Sequence, residues 1–303
     1  MIHVFIINTK IVEPEFGMEL RRKMKERQEI QSFVFNTMRQ GMEREIAQRI
    51  IRFFDGEVIR FYSCGGSGTM RNIVDGAIHY KQAEFAFIPC GATNDFLKVF
   101  GKDMDAFRDV DAMMEGKTVK IDVLRSNYGY ALNTISYGID TLFSQTHEKL
   151  KHYDIFGEMI PRLLAYGKAL LGMTPQRLLY SMGGPFVNAN VSELILGNGN
   201  VLGGNLYFSQ NADYRDGKLE YLIAENMNPR NFLKTMGYMK KKDHKEVNER
   251  TQNGSADFFS LKSESKEPLA LNLDGEIVQG GEEWSIEVIR QKLTFVVPKG
   301  VIV

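Results

Sequence analysis

Two consecutive units of strand, glycine-rich turn and helix lie between residues 58 and 101, and they constrain the fold more than any other part of the sequence. In the first unit a β-type run at 58–64 leads into the turn GGSGT and then into a helical pattern at 70–80. In the second, a strand at 85–88 leads through another turn to a helix at 95–100. Such alternation favours a parallel sheet with helical crossovers. Upstream it predicts strands at 4–7 and 33–35 and helices at 18–30 and 42–54.

The pattern changes after about residue 122, where β-type runs follow one another closely with turn signals between them. This spacing predicts an antiparallel sandwich or barrel. One exception is an amphipathic helix predicted at 155–171, whose apolar face packs against the sheet or meets lipid, the first being the commoner use of such a face. The predicted strands lie at 119–124, 130–136, 186–196, 219–224, 269–273 and 284–288.

The composition excludes several classes of function. Lys plus Arg and Asp plus Glu both number 38, so the net charge is zero and no overall field attracts nucleic acid. No apolar stretch reaches the roughly 18 residues that a membrane span needs. The five histidines show no zinc-binding spacing. With only Cys64 and Cys90 and no signal-like start, the sequence predicts a reduced, cytoplasmic protein.

The glycine turn at 65–69 has the chemistry of a phosphate site. Its glycines let backbone N–H groups approach an anion, and the following helix adds partial positive charge. The alternative is a tight turn that binds nothing. No Lys follows Gly68 and Thr69 and no distal glycine is present, so neither the Walker nor the dinucleotide pattern fits. Thr93 and Asn94 follow the next strand at the same sheet edge, where they bind the same ligand or only cap a helix.

These two segments, CGGSGTMRNIVDG at 64–76 and IPCGATNDFLKVFG at 88–101, resemble the diacylglycerol kinase catalytic family. Its bacterial lipid kinases and sphingosine kinases carry a Gly-Gly-Asp-Gly-Thr loop followed by a Gly-Thr-x-Asn-Asp-Phe loop. The order and spacing of further segments strengthen the resemblance. They are KIDV at 120–123, NTISYGID at 133–140, GGNLYFSQNADYRDGKLEYLIAE at 203–225 and LNLDGE at 271–276.

The resemblance implies ATP-dependent phosphoryl transfer to the hydroxyl of a diacylglycerol-like lipid. It implies a cleft between an α/β nucleotide-binding domain, residues 1–123 with 295–303, and a β-rich lipid-substrate domain, residues 124–294, with the last strand returning to the first domain. Peripheral membrane contact is expected, and a homodimer stays open. Two alternative functions remain open. One is a nucleotide- or lipid-binding homologue with weakened catalysis, and the other is an NAD kinase, although the segments LNLDGE and DYRDGKLE favour the lipid kinases over it.

The resemblance also assigns roles to single residues. Asp95 and Asp122 match acids that hold Mg²⁺, an ion that prefers hard oxygen ligands. Asp216 matches a structural magnesium site, although a turn is its commoner role. Asp274 matches the general base, with Glu276 assisting, where sequence alone favours a hairpin turn. The implied nucleotide contacts are Asn8, Thr37, Gly65, Gly66, Ser67, Gly68, Thr69, Thr93 and Asn94.

The chain departs from the family pattern beside the phosphate loop. Ser67 stands where the family has Asp, which removes one negative charge from the expected magnesium network. Arg71 and Asn72 stand where Asn and Glu are usual, and Arg71 binds phosphate or faces solvent. Thr9 replaces a family proline. Weakened catalysis and a weaker magnesium dependence are expected, unless Asp75 or Asp140 compensates.

Overall fold

The computed structural model describes residues 1–39, 41–91, 93–101, 104–150, 159–242 and 250–301. The chain forms two compact units. The first contains Met1–Asp122 and Arg290–Val303, and the second contains Val123–Ile289.

The first unit is an α/β unit built on a parallel sheet, which confirms the predicted fold class. Its elements are β1 (Ile2–Asn8), α1 (Pro14–Glu26), β2 (Ser32–Thr37), α2 (Met42–Phe53), β3 (Ile59–Gly65), α3 (Ser67–Ala77), β4 (Ala83–Pro89), 3₁₀ turns at Asp95–Phe100 and Ala106–Arg108, α4 (Val110–Met114) and β5 (Lys117–Ser126), which continues into the second unit. The strands are ordered β4–β3–β1–β2, all parallel, and the last strand, β17 (Glu283–Val297), pairs in parallel with β4 through Phe295 and Val296.

Helices cover this sheet closely. Every residue of β3 is buried, as in strands that are covered on both faces. Helices α2 and α3 approach each other at Gly76, where an added Cβ would lie 2.7 Å from the carbonyl oxygen of Arg44. Only glycine permits this contact. Helix α3 begins at Ser67 rather than at the predicted residue 70, so the glycine turn runs directly into its first turn.

The second unit is an antiparallel strand region with three helices. Its elements are β6 (Gly129–Ala131), β7 (Thr134–Gly138), α5 (Ile139–Leu150), α6 (Met159–Leu171), β8 (Gln176–Ser181), β9 (Val187–Gly197), β10 (Val201–Leu202), β11 (Leu206–Tyr207), β12 (Leu219–Glu225), α7 (Pro229–Lys241), β13 (Thr251–Ala256), β14 (Phe258–Ser263), β15 (Ala270–Leu273) and β16 (Glu276–Gln279). The strands are ordered β16–β15–β7–β9–β8–β14–β17, and β9 also pairs with β12, which pairs with β13.

Helix α6 corresponds to the helix predicted at 155–171, of which 155–158 lie outside the described residues. It buries the small residues Ala165 and Ala169, while Leu163 and Leu171 are 72% and 85% exposed. The helix therefore packs against the unit with one face and presents leucines outward with the other. Helices α5 and α7 have no counterpart in the sequence prediction.

None of the helices in the described parts of the chain combines the length and the apolar character that crossing a membrane requires.

Candidate active site

The two glycine turns lie side by side at the carboxyl edge of the parallel sheet. The backbone N–H groups of Cys90 and Gly91 donate to the carbonyl oxygen of Gly65, at 2.9 and 3.2 Å. An added Cβ on Gly91 would lie only 2.9 Å from the Cα of Gly66. Glycine at position 91 thus allows the two turns to touch through their backbones.

The first turn presents the N-terminus of α3 without a capping side chain. Gly66 occupies the cap position in an extended conformation and makes no side-chain hydrogen bond there. Asn8, at the end of β1, donates through Nδ2 to Thr69 Oγ1 at 3.0 Å. An added Cβ on Gly65 would collide with the same oxygen at 2.5 Å. The first N–H groups of an α-helix have no hydrogen-bond partner within the helix, and the helix N-terminus carries partial positive charge. Both features favour the binding of a phosphate.

Thr37 lies next to Asn8 in the register of β1 and β2. The Thr37 hydroxyl is buried and donates to Glu43 Oε1 at 2.7 Å. Thr9, in place of the family proline, donates its backbone N–H to the Thr37 carbonyl oxygen at 3.1 Å, a bond that proline cannot make. Sequence reasoning missed Glu43, and the only signal for it was an acid in the first turn of an amphipathic helix.

The second turn is shaped by Asn94, which adopts a left-handed conformation with φ +45°. Its Nδ2 donates to the Gly91 carbonyl oxygen at 2.7 Å, and its Oδ1 is buried without a hydrogen-bond partner among the described residues. Thr93 beside it is half-buried. An unpartnered polar atom at this edge fits a turn that contacts a ligand.

The acids of the first unit already have partners. Asp95 Oδ1 pairs with Lys98 Nζ at 2.7 Å. Asp122 is completely buried, and its Oδ1 accepts from the backbone N–H of Gln291 at 2.7 Å. In the part of the chain that the structure describes, no three His, Cys, Asp or Glu side chains are arranged to hold a metal ion.

The residues beside the phosphate turn differ from the sequence expectation. Arg71 is buried and pairs with Asp75 at 3.2 Å, so it does not face solvent. Ser67 is half-buried in the first turn of α3, and Gly68 follows it there. The serine hydroxyl leaves this helix start without the carboxylate that the family pattern has.

In the second unit the Asp274 carboxylate is held by three backbone N–H groups. Oδ2 accepts from Leu132 at 2.6 Å, and Oδ1 accepts from Asn133 and Thr134 at 2.9 Å each. Asp274 lies in the turn between β15 and β16 at φ +51° and is 7% exposed. These three hydrogen bonds fix the direction of the carboxylate. Glu276, the first residue of β16, is half-buried.

Asn272 connects the Asp274 turn to α5. Its Nδ2 donates to Asp140 Oδ2 at 2.7 Å, and its Oδ1 accepts the backbone N–H of Gly275 at 2.8 Å. Ser136 also donates to Asp140, through its hydroxyl. Sequence reasoning named Asp140 only as a substitute acid and missed Asn272.

A cavity of about 730 Å³ opens beside Asp140 within the second unit. Residues of β9 and of α5, α6 and α7 line it, and most of them are apolar, including Phe143, Phe232 and Met236. Glu193 from β9 is its buried acid. A cavity of this size and character fits a hydrocarbon chain.

Asp216 lies in an exposed turn of the second unit. Its Oδ1 accepts the backbone N–H of Lys218 at 2.8 Å, and Asp213 Oδ1 accepts that of Arg215 at 3.0 Å. Both carboxylates thus stabilise the local turn, which is the structural alternative named for this loop.

Residues 4–126 match the family of the diacylglycerol kinase catalytic domain. The chain is 28% identical to a diacylglycerol kinase of Staphylococcus carnosus over 225 residues, which are 70% of this chain and 68% of that protein. It is 26% identical over 303 residues to a protein of Alcanivorax borkumensis called probable lipid kinase YegS-like, covering 93% of this chain and 96% of that one.

The fold is also found in solved structures. A diacylglycerol kinase of Bacillus anthracis superimposes with a TM-score of 0.67 at 16% identity, over 99% of this chain and 98% of that chain. A further chain from the same organism reaches a TM-score of 0.75 at 20% identity, over 99% of this chain and 96% of that chain. At these identities the likeness establishes the fold.

An α/β unit with paired glycine turns, followed by an antiparallel strand region, defines the class of protein. The family match and the ordered motifs show that residues 4–126 are similar to a diacylglycerol kinase catalytic domain. The resemblance seen in the sequence is thus confirmed, and it supports a lipid kinase function.

Proposed function

We propose that the protein transfers the γ-phosphoryl group of ATP to the hydroxyl of a diacylglycerol-like lipid. The observation that carries the proposal is the backbone contact between Gly66 and Gly91, which sets two glycine turns against an uncapped helix start. Backbone N–H groups in this arrangement bind the phosphates, with Asn8 at the end of β1, Thr69 in the first turn of α3 and Asn94 in the second glycine turn beside them.

Magnesium is the metal that phosphoryl transfer of this kind uses, since it neutralises charge on the phosphate oxygens when it is bound. The carboxylates of the first unit offer the hard oxygens that it prefers. Asp95 is the first ligand proposed, with Asp122 as the second acid. Asp216 is proposed only for a structural ion. Because magnesium keeps several waters and binds substrate phosphates, one or two carboxylates suffice.

Asp274 is the proposed acceptor of the lipid hydroxyl proton, assisted by Glu276. Three backbone donors hold the Asp274 carboxylate in one direction. This matters because phosphoryl transfer passes through a loose transition state, in which positioning and charge stabilisation dominate.

The cavity of the second unit is the proposed site of the acyl chain. Leu163 and Leu233 line it and are themselves exposed, so the apolar lining continues to the surface. Leu164 and Leu171 extend the same outward face of α6. We propose that this face rests on a bilayer and that the lipid enters the cavity there. Apolar side chains at the mouth of an apolar site lower the cost of moving a chain out of the membrane.

The test is phosphoryl transfer from labelled ATP to diacylglycerol in mixed micelles with magnesium, comparing the native chain with Ser67→Asp and the neutral control Ser67→Asn. Labelled phosphatidic acid from the native chain supports the proposal. Labelled product from Ser67→Asp alone supports the second candidate, a binding homologue with weakened catalysis, which the missing carboxylate favours. No product from any of the three, with ATP bound, refutes diacylglycerol as acceptor, and NAD and a sphingoid base are then assayed.

A further inference from the structure

Glu193 is an acid buried in the wall of an otherwise mostly apolar cavity. It lies in β9 and is only 3% exposed. Its Oε2 accepts the backbone N–H of Ile139 at 2.6 Å and that of Asp140 at 3.3 Å, at the start of α5. Its Oε1 is equally buried but has no hydrogen-bond partner among the described residues. Buried polar atoms are almost always paired, so this oxygen is conspicuous.

The surroundings favour the protonated form of this carboxyl group. Burial and the negative charge of Asp140 raise the pKa of Glu193 well above its usual range, and the two backbone donors oppose this only partly. The other titratable groups around it are Tyr137 on β7, Tyr166 on α6 and Lys240 on α7. Burial raises the pKa of Tyr137 to about 12, and that of Tyr166 also rises, so both phenols stay neutral.

The position of the proton follows from the hydrogen bonds. Oε2 accepts hydrogen bonds from two backbone N–H groups, so a proton on Oε2 would be repelled by these donors. The proton therefore resides on Oε1, which becomes a hydrogen-bond donor inside the cavity. A mostly apolar cavity with a buried donor in its wall matches an amphiphile that has a chain and an acceptor oxygen.

We propose that Glu193 is a specificity residue that donates a hydrogen bond from Oε1 to the carbonyl oxygen of an acyl ester whose chain fills the cavity. The inference rests on the proposed lipid kinase function and names its substrate class as an acylglycerol. A sphingoid base fits less well, because its ammonium group only donates hydrogen bonds and would meet a donor.

The proposal also orients the lipid. Asp140, whose N–H contacts Glu193, is linked through Asn272 to the turn of Asp274. These contacts all lie within the second unit. An ester held at Glu193 is therefore connected through these hydrogen bonds to the turn that carries the proposed base.

The experiment compares native protein, Glu193→Gln and Glu193→Met. Binding of dioctanoylglycerol and of sphingosine is measured by calorimetry from about pH 6 to about pH 9, a range that lies above the ordinary glutamate pKa of about 4.3. In the glutamine variant the amide oxygen accepts from Ile139 and the NH₂ group donates into the cavity. We expect it to bind dioctanoylglycerol like the native protein at low pH but without pH dependence. The methionine variant binds about tenfold more weakly, as expected for one lost buried hydrogen bond.

The sign of the pH effect is fixed by the proposal. As pH rises through the raised pKa, Glu193 loses its proton and its donor, so native binding of dioctanoylglycerol weakens. The inference is overturned if the affinity of the native protein for dioctanoylglycerol is as independent of pH as that of Glu193→Gln. It is also overturned if Glu193→Gln and Glu193→Met bind dioctanoylglycerol equally well, or if the native protein binds sphingosine more tightly than dioctanoylglycerol. If the methionine variant does not fold, the comparison of native and Glu193→Gln decides.

The same measurements separate the two proposals. If the native protein binds dioctanoylglycerol with the expected pH profile but transfers no phosphoryl group, the kinase proposal is refuted and the role of Glu193 is supported. Phosphoryl transfer with the same KM in native and Glu193→Met protein refutes the role of Glu193 alone. Native protein that binds no lipid refutes the inference.

Discussion

The Asn272 side chain donates a hydrogen bond of 2.7 Å to the Asp140 carboxylate, and it thereby joins the start of α5 to the turn that carries Asp274. Asn272 donates from the same nitrogen to Ser144 Oγ at 3.0 Å. The proposed proton acceptor and the wall of the apolar cavity are thus linked through a single buried amide.

Replacing Asn272 tests this link. In Asn272→Ala the loss of buried hydrogen bonds lowers the free energy of unfolding by about 1–3 kcal/mol. Asn272→Asp keeps the shape but places a carboxylate against Asp140, so at neutral pH it lowers turnover further than alanine does. Denaturant unfolding and lipid phosphorylation rates measure both effects. Equal turnover in Asn272→Asp and native protein contradicts the prediction.

Gly66 tests the phosphate site directly. Among the described residues, an added Cβ there would meet Ile11 at 3.7 Å and the Gly91 Cα at 3.9 Å, which are ordinary contacts, so alanine fits this part of the unliganded chain. We expect Gly66→Ala to change the free energy of unfolding by less than about 1 kcal/mol but to weaken ATP binding by about tenfold or more, since the methyl group occupies space that a phosphate needs. Isothermal calorimetry measures the affinity.

The matched variant is Gly91→Ala, whose Cβ would lie 2.9 Å from the Gly66 Cα. It is expected to destabilise the chain itself by about 1–3 kcal/mol through overpacking. Unchanged ATP affinity in Gly66→Ala argues that the phosphates do not approach this turn.

Ser67 is expected to set the magnesium dependence of the proposed reaction. Because serine is neutral, the native chain is expected to show a shallower magnesium titration of activity than Ser67→Asp. Ser67→Asn, similar in shape to aspartate but uncharged, is expected to behave like the native chain. Coincident titrations for all three proteins would show that this position does not contact the metal network.

His3 gives the first unit an acid-sensitive stability. Burial and the nearby charge of Arg60 lower the pKa of His3 to about 4, and its Nδ1 lies 2.8 Å from the Tyr62 hydroxyl. The unfolded chain binds a proton at its ordinary pKa of about 6.5, whereas the folded chain does not until about pH 4. The free energy of unfolding therefore falls as pH drops from about 6.5 to about 4.

Glutamine at this position removes the titration. His3→Gln is expected to lose less stability than native protein over that interval, as urea unfolding at several pH values will show. Parallel curves for the two proteins would rule out His3 as the source.

Local patterns predicted much of the fold. The glycine turns at 65–69 and 91–94 revealed the parallel sheet and the loops at its edge, because turn chemistry and strand periodicity are encoded in neighbouring residues. Contacts between distant residues could not be predicted in this way. Asn272 and Asp140 are 132 positions apart, and the cavity around Glu193 forms only when three helices pack against β9.

The helices α5 and α7 were missed for a related reason. Their apolar residues, such as Ile139, Phe232 and Met236, lie among polar ones in segments between strands. Their amphipathic pattern is short, and packing against the sheet stabilises them.

The single-turnover rate of phosphoryl transfer from bound ATP to diacylglycerol tests the proposed role of Asp274 most directly. Asp274→Asn sets an NH₂ group against one of three backbone donors, so thermal unfolding and ATP affinity are measured beside the rate, with Glu276→Gln as the matched control. We expect a rate lower by a factor of about 100 or more in Asp274→Asn, with ATP affinity retained, and a smaller loss in Glu276→Gln. A folded, ATP-binding Asp274→Asn protein that transfers phosphoryl groups at the native rate would contradict this role.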